Sequence, residues 1–168
     1  MTDTAKPHGY MTRTIHWLAA GLVAFGYFKG LDSVSQLADP ATFQFEILYA
    51  LGLGALFALR LIWTKAFAGE TRLPADAPSW EHKASRAVHL GLYAGVFGIV
   101  LSGLGIALAY SVPMLGGAGM AIALFLHEVF LNVLPILLVT HIAGALWHKF
   151  VRRDGVMESM TGRLKVAR

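Results

Sequence analysis

The sequence contains no cysteine, and this absence removes several kinds of site at once. Without thiols the chain forms no disulfide, binds no metal through thiolate and attaches no haem through thioether bonds. Any haem or metal ion must therefore be held by other donors, without covalent attachment. The sequence offers seven histidines that are suitable in kind.

Charged residues are also scarce in this chain. They make up 14% of its 168 residues, whereas about a quarter is usual in a soluble domain. The mean hydropathy is +0.58, and apolar segments of about 20 residues are long enough to cross a bilayer as helices. Four such segments cover residues 14–31, 43–65, 84–110 and 122–150. The sequence predicts an all-α membrane protein, a four-helix transmembrane bundle that forms one domain over residues 1–168.

Basic residues are missing from two of the connections between these segments. Residues 32–42 contain two aspartates and no base, and residues 111–121 contain no charge. Of the 14 lysines and arginines, all but Lys29 lie on the other side of the segments. Since basic residues accumulate on the cytoplasmic side of a membrane, both termini are predicted to be cytoplasmic. The net charge of +4 then reflects the orientation of the helices in a lipid bilayer, and it does not indicate a nucleic-acid partner.

Histidines recur inside the apolar segments. His127, His141 and His148 share the fourth segment at intervals of 14 and 7 residues, which keep them on one stripe of a helix. His16 and His89 fall at the same predicted depth as His141. Two facing imidazoles at one level suit the iron of a six-coordinate b-type haem. Spacing alone does not choose between His16 and His89, and the alternative is that these histidines are packing residues or proton relays.

Other groups near that level would complete a haem and quinone site. Haem propionates are anionic, and basic residues predicted at a suitable depth are Arg13, Arg60, Arg86 and Lys149. The alternative for each is an ordinary anchor that carries its charge out to the membrane surface. A quinone head group would need a hydrogen-bond donor that can move protons. His89 and His148 are suitable in kind because imidazole titrates near neutrality.

Several stretches resemble the bacterial cytochrome b561 family, over about residues 10–160. The first segment opens with Ile15, His16 and Trp17, and the third contains His89 and Tyr93 in the similar run 88–93. The most specific stretch is the last one. It comprises His127 and Glu128, His141 fourteen residues later, the run Ala-Leu-Trp-His-Lys-Phe at 145–150, the run Arg-Asp-Gly-Val at 153–156, and Met160.

The resemblance implies a function and a set of ligands. Members of that family are four-helix bundles of the bacterial inner membrane that hold two b haems and exchange electrons with quinone. Some of them oxidise superoxide and others are electron-transfer subunits. The resemblance makes His16 and His141 the axial ligands of the inner haem iron and places His89 and His148 near the quinone or superoxide site. Arg60 matches a family arginine and is a propionate candidate.

One position departs from the family pattern. The outer haem of the family is held by the residue that matches His127 and by a histidine early in the second span, where this chain has Glu46. Three alternatives follow. The outer haem is absent, or a partner subunit supplies its second ligand. In the third, His127 binds it and the sixth coordination position is open or is filled by Glu46 or another donor such as Met114 or Met120. One haem b is expected and the second is left open. Lys29 is expected to pair with Glu46.

The expected function is electron transfer between haem b and ubiquinone or ubiquinol in the respiratory chain, with superoxide:ubiquinone oxidoreductase as one form of it. Two alternatives remain. The chain is a haem-binding anchor subunit of a larger respiratory or dehydrogenase complex, or it is a haem-free carrier of protons or solutes that uses its histidines as relays.

Overall fold

A computed structural model describes residues 8–68, 73–74 and 77–162 of the chain. The described residues contain five α-helices and no strand, which confirms the all-α fold class. The helices are α1 (Tyr10–Lys29), α2 (Pro40–Trp63), α3 (Ser79–Ser111), α4 (Ala118–Trp147) and α5 (Val156–Thr161). Short 3₁₀ turns at Val34–Ala38 and Pro113–Leu115 lie between α1 and α2 and between α3 and α4, respectively.

The four long helices pack as antiparallel neighbours in chain order. A buried cluster at their centre takes residues from every one of them: Ala19, Val23, Leu53, Phe57, Val96, Val100 and Leu134. The most extensive helix contact is between α3 and α4, where a Cβ on Gly95 would lie 3.0 Å from Leu134. Small residues on α3 therefore let α4 approach, as is usual for helices packed in a membrane.

The bundle has two distinct ends. We call the end where α1 begins, α2 ends, α3 begins and α4 ends the terminal end, and the opposite end the far end. At the far end a smaller cluster buries Leu37, Ile106 and Ala123 under the connection between α1 and α2. At the terminal end the α4 backbone passes through a π-helical turn, His148–Arg152, before α5.

Helix α2 begins at a well-defined N-cap. The carboxylate of Asp39 accepts a hydrogen bond from the Thr42 backbone N–H at 2.9 Å and another from its hydroxyl at 2.8 Å. Pro40 follows at the first helical position, where its missing N–H costs nothing. These hydrogen bonds to Thr42 lower the pKa of Asp39 below its ordinary value. The polar residues before the second apolar segment thus fix where that helix starts.

Among the described residues, three helices are long and apolar enough to cross a membrane: Pro40–Phe67 and Ala118–Arg152, which include π-helical extensions, and Ser79–Ser111. Large apolar side chains cover the outside of these helices, among them Leu101, Ile122 and Ile136, which is typical of a surface that faces lipid. Helix α1 has 20 residues but does not meet the same standard of hydropathy. Four membrane crossings and cytoplasmic termini therefore stay predictions.

Candidate functional site: an imidazole cluster at the terminal end

Three histidines from three helices meet inside the bundle at its terminal end. The ring centroids of His16 on α1 and His141 on α4 lie 6.3 Å apart, with their planes at 53°. The ring of His89 on α3 stands edge-on to that of His141 at a centroid distance of 5.1 Å. All three rings are largely enclosed by the helices. The three histidines that sequence reasoning assigned to one depth are thus brought together in one cluster.

Helix α2 adds a guanidinium to this cluster. The Nη2 atom of Arg60 lies 2.8 Å from Nδ1 of His16, and the guanidinium carbon lies 5.8 Å from the centre of the Tyr93 ring. Because a guanidinium only donates hydrogen bonds, Nδ1 of His16 accepts here and the ring proton is assigned to Nε2. Within the described residues Arg60 forms no ion pair with a carboxylate. A cation enclosed in this way is expected to have an anionic partner.

The hydrogen bond of His89 assigns the opposite tautomer to that ring. Its Nδ1 donates to the backbone carbonyl of Ser85 at 2.7 Å, one helical turn earlier. A carbonyl only accepts, so Nε2 of His89 keeps its lone pair free for a ligand or a proton. Such a bond from the second nitrogen to a backbone carbonyl is the usual support of a ligating or proton-accepting imidazole.

His127 lies far from this cluster, near the far end of α4. It precedes His141 by fourteen residues, or about 21 Å along the helix axis. Its Nδ1 is 2.9 Å from the hydroxyl oxygen of Ser102 on α3, and that hydroxyl donates to the Gly98 carbonyl at 2.6 Å. The Ser102 oxygen therefore accepts from His127. A Cβ added to Gly103 would lie 3.3 Å from the His127 ring, so the ring lies close against α3.

Glu46 lies between α1 and α2. It lines a small cavity together with Lys29. The rest of the lining comes from α1, from α2 and from Gly30 directly after α1: Phe25, Gly26, Gly30, Phe45 and Tyr49. Its Oε1 is buried and has no hydrogen-bond partner in the part of the chain that the structure describes. The expected ion pair with Lys29 does not form, because the ammonium of Lys29 instead lies 5.5 Å from the centre of the Phe45 ring.

His148 lies in the π-helical turn that follows α4, the helix that carries His141. Its Nδ1 is 2.6 Å from a carboxylate oxygen of Asp154. The Arg152 guanidinium lies 3.8 Å from the same carboxylate and 3.3 Å from Glu81, which is buried in the first turn of α3. The terminal end thus carries a connected set of ionisable groups next to the imidazole cluster. Such π-helical turns are frequent at functional sites.

The geometry of the terminal end fits a haem. At metal–nitrogen distances of about 2 Å, two imidazoles on one iron have ring centroids about 6 Å apart, and the centroids of His16 and His141 lie 6.3 Å apart. The half-buried Arg60, which pairs with no carboxylate in the described part of the chain, suits an anionic propionate. One adjustment is needed: for His16 to present Nε2 to iron, its proton must move to Nδ1 and Arg60 must leave that atom. A bare metal ion is a poorer fit, since no three acidic or imidazole side chains among the described residues, this cluster included, have their donor atoms placed to hold one ion.

Sequence reasoning missed several partners of these histidines. Ser85 precedes His89 by four residues, so helical spacing alone was a sufficient signal for that contact. Ser102, Glu81 and Asp154 touch the histidines or their neighbours across helix boundaries. Their roles depend on how the helices are rotated, which no local pattern in the sequence reveals.

A helical bundle of the membrane with a facing imidazole pair on its first and last long helices is typical of a membrane-bound b-type cytochrome. The chain belongs to the prokaryotic cytochrome b561 family, which its sequence matches over residues 8–163. This confirms the family expected from the resemblance. The chain is accordingly a bacterial membrane haem protein of electron transport, and haem b is the cofactor that the family implies.

Three relatives illustrate the similarity. Cytochrome b562 of Cereibacter sphaeroides is 30% identical over 157 residues, which cover 88% of this chain and 90% of that protein. Cytochrome b561 homolog 2 of Escherichia coli is 28% identical over 184 residues, covering 96% of this chain and 95% of the relative. Cytochrome b561 homolog 1 of the same organism is 25% identical, covering 90% and 94%. No solved structure matches the chain.

Proposed function

We propose that the chain is a quinone-linked cytochrome that holds haem b at the terminal end, with His16 and His141 as the axial ligands of the iron. The observation that carries this proposal is the pair of imidazoles on α1 and α4, whose centroids are 6.3 Å apart beside an arginine that pairs with no carboxylate among the residues the structure describes. Bound haem would supply a reversible one-electron change of its iron. The protein holds the haem, sets its potential and controls access to it.

Arg60 has two positions in this proposal. It donates to Nδ1 of His16 and lies near the Tyr93 ring. If Nε2 of His16 held the iron, Nδ1 would carry the ring proton and would no longer accept the hydrogen bond from Arg60. Arg60 is then free to bind a propionate, and charge-assisted hydrogen bonds of this kind are among the stronger ones in proteins. Arg60 would thus hold a haem through a propionate beside the ligand His16.

His89 and His148 are the groups we assign to quinone and its protons. Oxidation of a quinol releases two electrons and two protons, so a one-electron carrier needs a neighbouring group that accepts protons. Nε2 of His89 keeps a free lone pair because Nδ1 donates to Ser85. His148 and its partner Asp154 lie at the terminal end, where the membrane surface is expected. His89 can thus accept a proton inside the bundle, and His148 with Asp154 can exchange one at the expected membrane surface.

The topology completes the proposal. With α1 as the first crossing, four helices span the inner membrane of a bacterium, and both termini face the cytoplasm. The terminal end is then the cytoplasmic end, which agrees with the concentration of lysine and arginine there. Residues 1–168 form one domain. The electron donor or acceptor other than quinone is superoxide or a separate redox protein.

An anchor subunit is the second candidate function, and the short connections favour it. Only Gly30–Asp39 and Val112–Gly117 join the long helices at the far end, so little of the chain is available there for substrate chemistry. In this case the chain would hold haem within a larger respiratory or dehydrogenase complex. A stoichiometric partner after gentle solubilisation would support the anchor, and a lone chain that reacts with quinol would exclude it.

The haem content and spectrum of purified variants test the ligand assignment. His16→Ala and His141→Ala should each abolish the haem at the terminal end, because either change removes one of two axial nitrogens. His82→Ala is the matched control, since His82 lies in the first turn of α3 outside the ring cluster, and it should leave haem content unchanged. In the native protein, addition of a short-chain ubiquinol should reduce the haem.

Two outcomes would contradict this assignment. A normal low-spin spectrum in His16→Ala, together with loss of haem in His89→Ala, would make His89 the ligand in place of His16. A native protein that stays colourless when expressed with ample haem would overturn the whole proposal. Comparable size-exclusion profiles for all variants exclude misfolding as the cause of a loss.

A further inference from the structure

We infer that this chain binds haem at one level only, and that His127 serves helix packing at the far end. The inference rests on the proposed haem site at the terminal end and goes beyond it, because it concerns the second level that other members of the family would fill. Four observations on the far end carry it, and each concerns the supply or direction of possible ligands.

The far end has too few imidazoles. The chain has seven histidines, and six of them lie in the half of the bundle that includes the terminal end. These are His8 before α1, His16 near the start of α1, His82 and His89 in the first half of α3, and His141 and His148 at and beyond the end of α4. His127 is therefore alone in the far half. A low-spin haem held by two histidines cannot form there from this chain.

Nδ1 of His127 is engaged with α3, so only Nε2 of this residue is left to offer a single bond to a haem iron. Its Nδ1 donates to Ser102, and the Ser102 hydroxyl continues the chain of hydrogen bonds to the Gly98 carbonyl. The ring lies close to Gly103 on α3. One turn further along α4, Phe130 lies so near Gly98 that a Cβ there would meet its ring at 2.5 Å. The rings of Phe130 and His127 thus lie directly against Gly98 and Gly103 of α3.

Glu46 does not face His127. Every residue around the Glu46 cavity comes from α1, from α2 or from Gly30 directly after α1, whereas the contacts of His127 are with α3. The two side chains lie in different helix interfaces and do not converge on one point. A carboxylate is in any case a harder ligand than the nitrogen and sulfur donors that low-spin haem iron prefers.

The remaining donors are also misplaced. Met114 is 95% exposed in the turn after α3, and Met120 packs against the cluster of Leu37, Ile106 and Ala123. A groove of about 470 Å³ does open between α3 and α4 near the far end, but its lining is apolar except for Ser102. It therefore offers no nitrogen or sulfur ligand to an iron. Any redox partner must then reach the single haem from the terminal end.

The number of haems per chain tests this inference. Purified native protein should contain one haem b per polypeptide, with haem measured as the pyridine complex and protein by amino-acid analysis. His127→Ala and His127→Gln should both keep that ratio and the native absorption spectrum. The glutamine variant retains an N–H donor for Ser102, so it should remain folded if the alanine variant is unstable. His141→Ala is the matched control and should lose the haem.

The possible results separate the two proposals. A native ratio near two that falls to one in His127→Gln would overturn the single-level inference and leave the haem site at the terminal end intact. Haem that is lost in His127→Gln but retained in His141→Ala would overturn both. A ratio near one that persists in His127→Gln and vanishes in His141→Ala would establish both.

Discussion

At the scale of single residues, hydrogen bonds decide which nitrogen each histidine can offer. Arg60 donates to His16, so the free nitrogen of that ring carries the proton. His89 donates to its own helix and keeps a lone pair. The two rings were equivalent in the sequence and differ in the structure. That difference depends on the rotation of α2 against α1, which the sequence of neither helix specifies.

Arg60 should raise the midpoint potential of the haem. A nearby cation favours the reduced state, which carries one positive charge fewer on the iron. Arg60→Gln should therefore lower the potential by on the order of tens of millivolts. Arg60→Lys is the matched control, because it keeps the charge and should shift the potential much less. A redox titration of the haem absorption gives both values, and an unchanged potential in Arg60→Gln would place the guanidinium away from the haem.

At the scale of helices, the apolar segments predicted the helices well but misplaced their ends. Helix α3 begins at Ser79, five residues before the predicted span, because its first turn is polar and follows Pro78. Glu81 in that turn is buried against Arg152, a contact that belongs to the terminal end. An apolar run marks the part of a helix that lies in lipid. Polar turns that continue the helix into the surface layer are not detected by a search for apolar runs.

The Asp39 cap should stabilise α2 in a pH-dependent way. The pKa of Asp39 in the folded protein lies below its ordinary value of 3.8, so its contribution is present above that pH. The contribution is lost as the pH falls through the folded-state pKa. Asp39→Ala should lower the thermal midpoint in detergent at pH 7, and the difference from the native protein should shrink as the pH falls below 3.8.

Asp39→Asn is the control for that experiment. Its amide oxygen still accepts from the Thr42 backbone but does not titrate as a carboxylate, and Asn is as good an N-cap as Asp. This variant should stay close to the native midpoint at pH 7. An Asp39→Ala deficit that remains constant from pH 7 to pH 3 would show that the cap acts without its charge.

At the scale of the whole molecule, the chemistry is concentrated at one end of the bundle. The terminal end carries His16, Arg60, His89 and His141, whereas the far end has His127 in a packing contact with Ser102. Depth along each helix was predictable from the sequence because residue count fixes axial position. The direction in which Glu46 and His127 point was not, since it depends on which helices become neighbours.

The central claim is that iron is held between His16 and His141 at the terminal end. Electron paramagnetic resonance of the oxidised, purified protein tests it most directly, because the g values of ferric haem report its axial ligands. We expect one low-spin species typical of two imidazoles, which His16→Ala and His141→Ala each eliminate. A high-spin signal alone, or a bis-imidazole signal that survives in His141→Ala, would contradict the account.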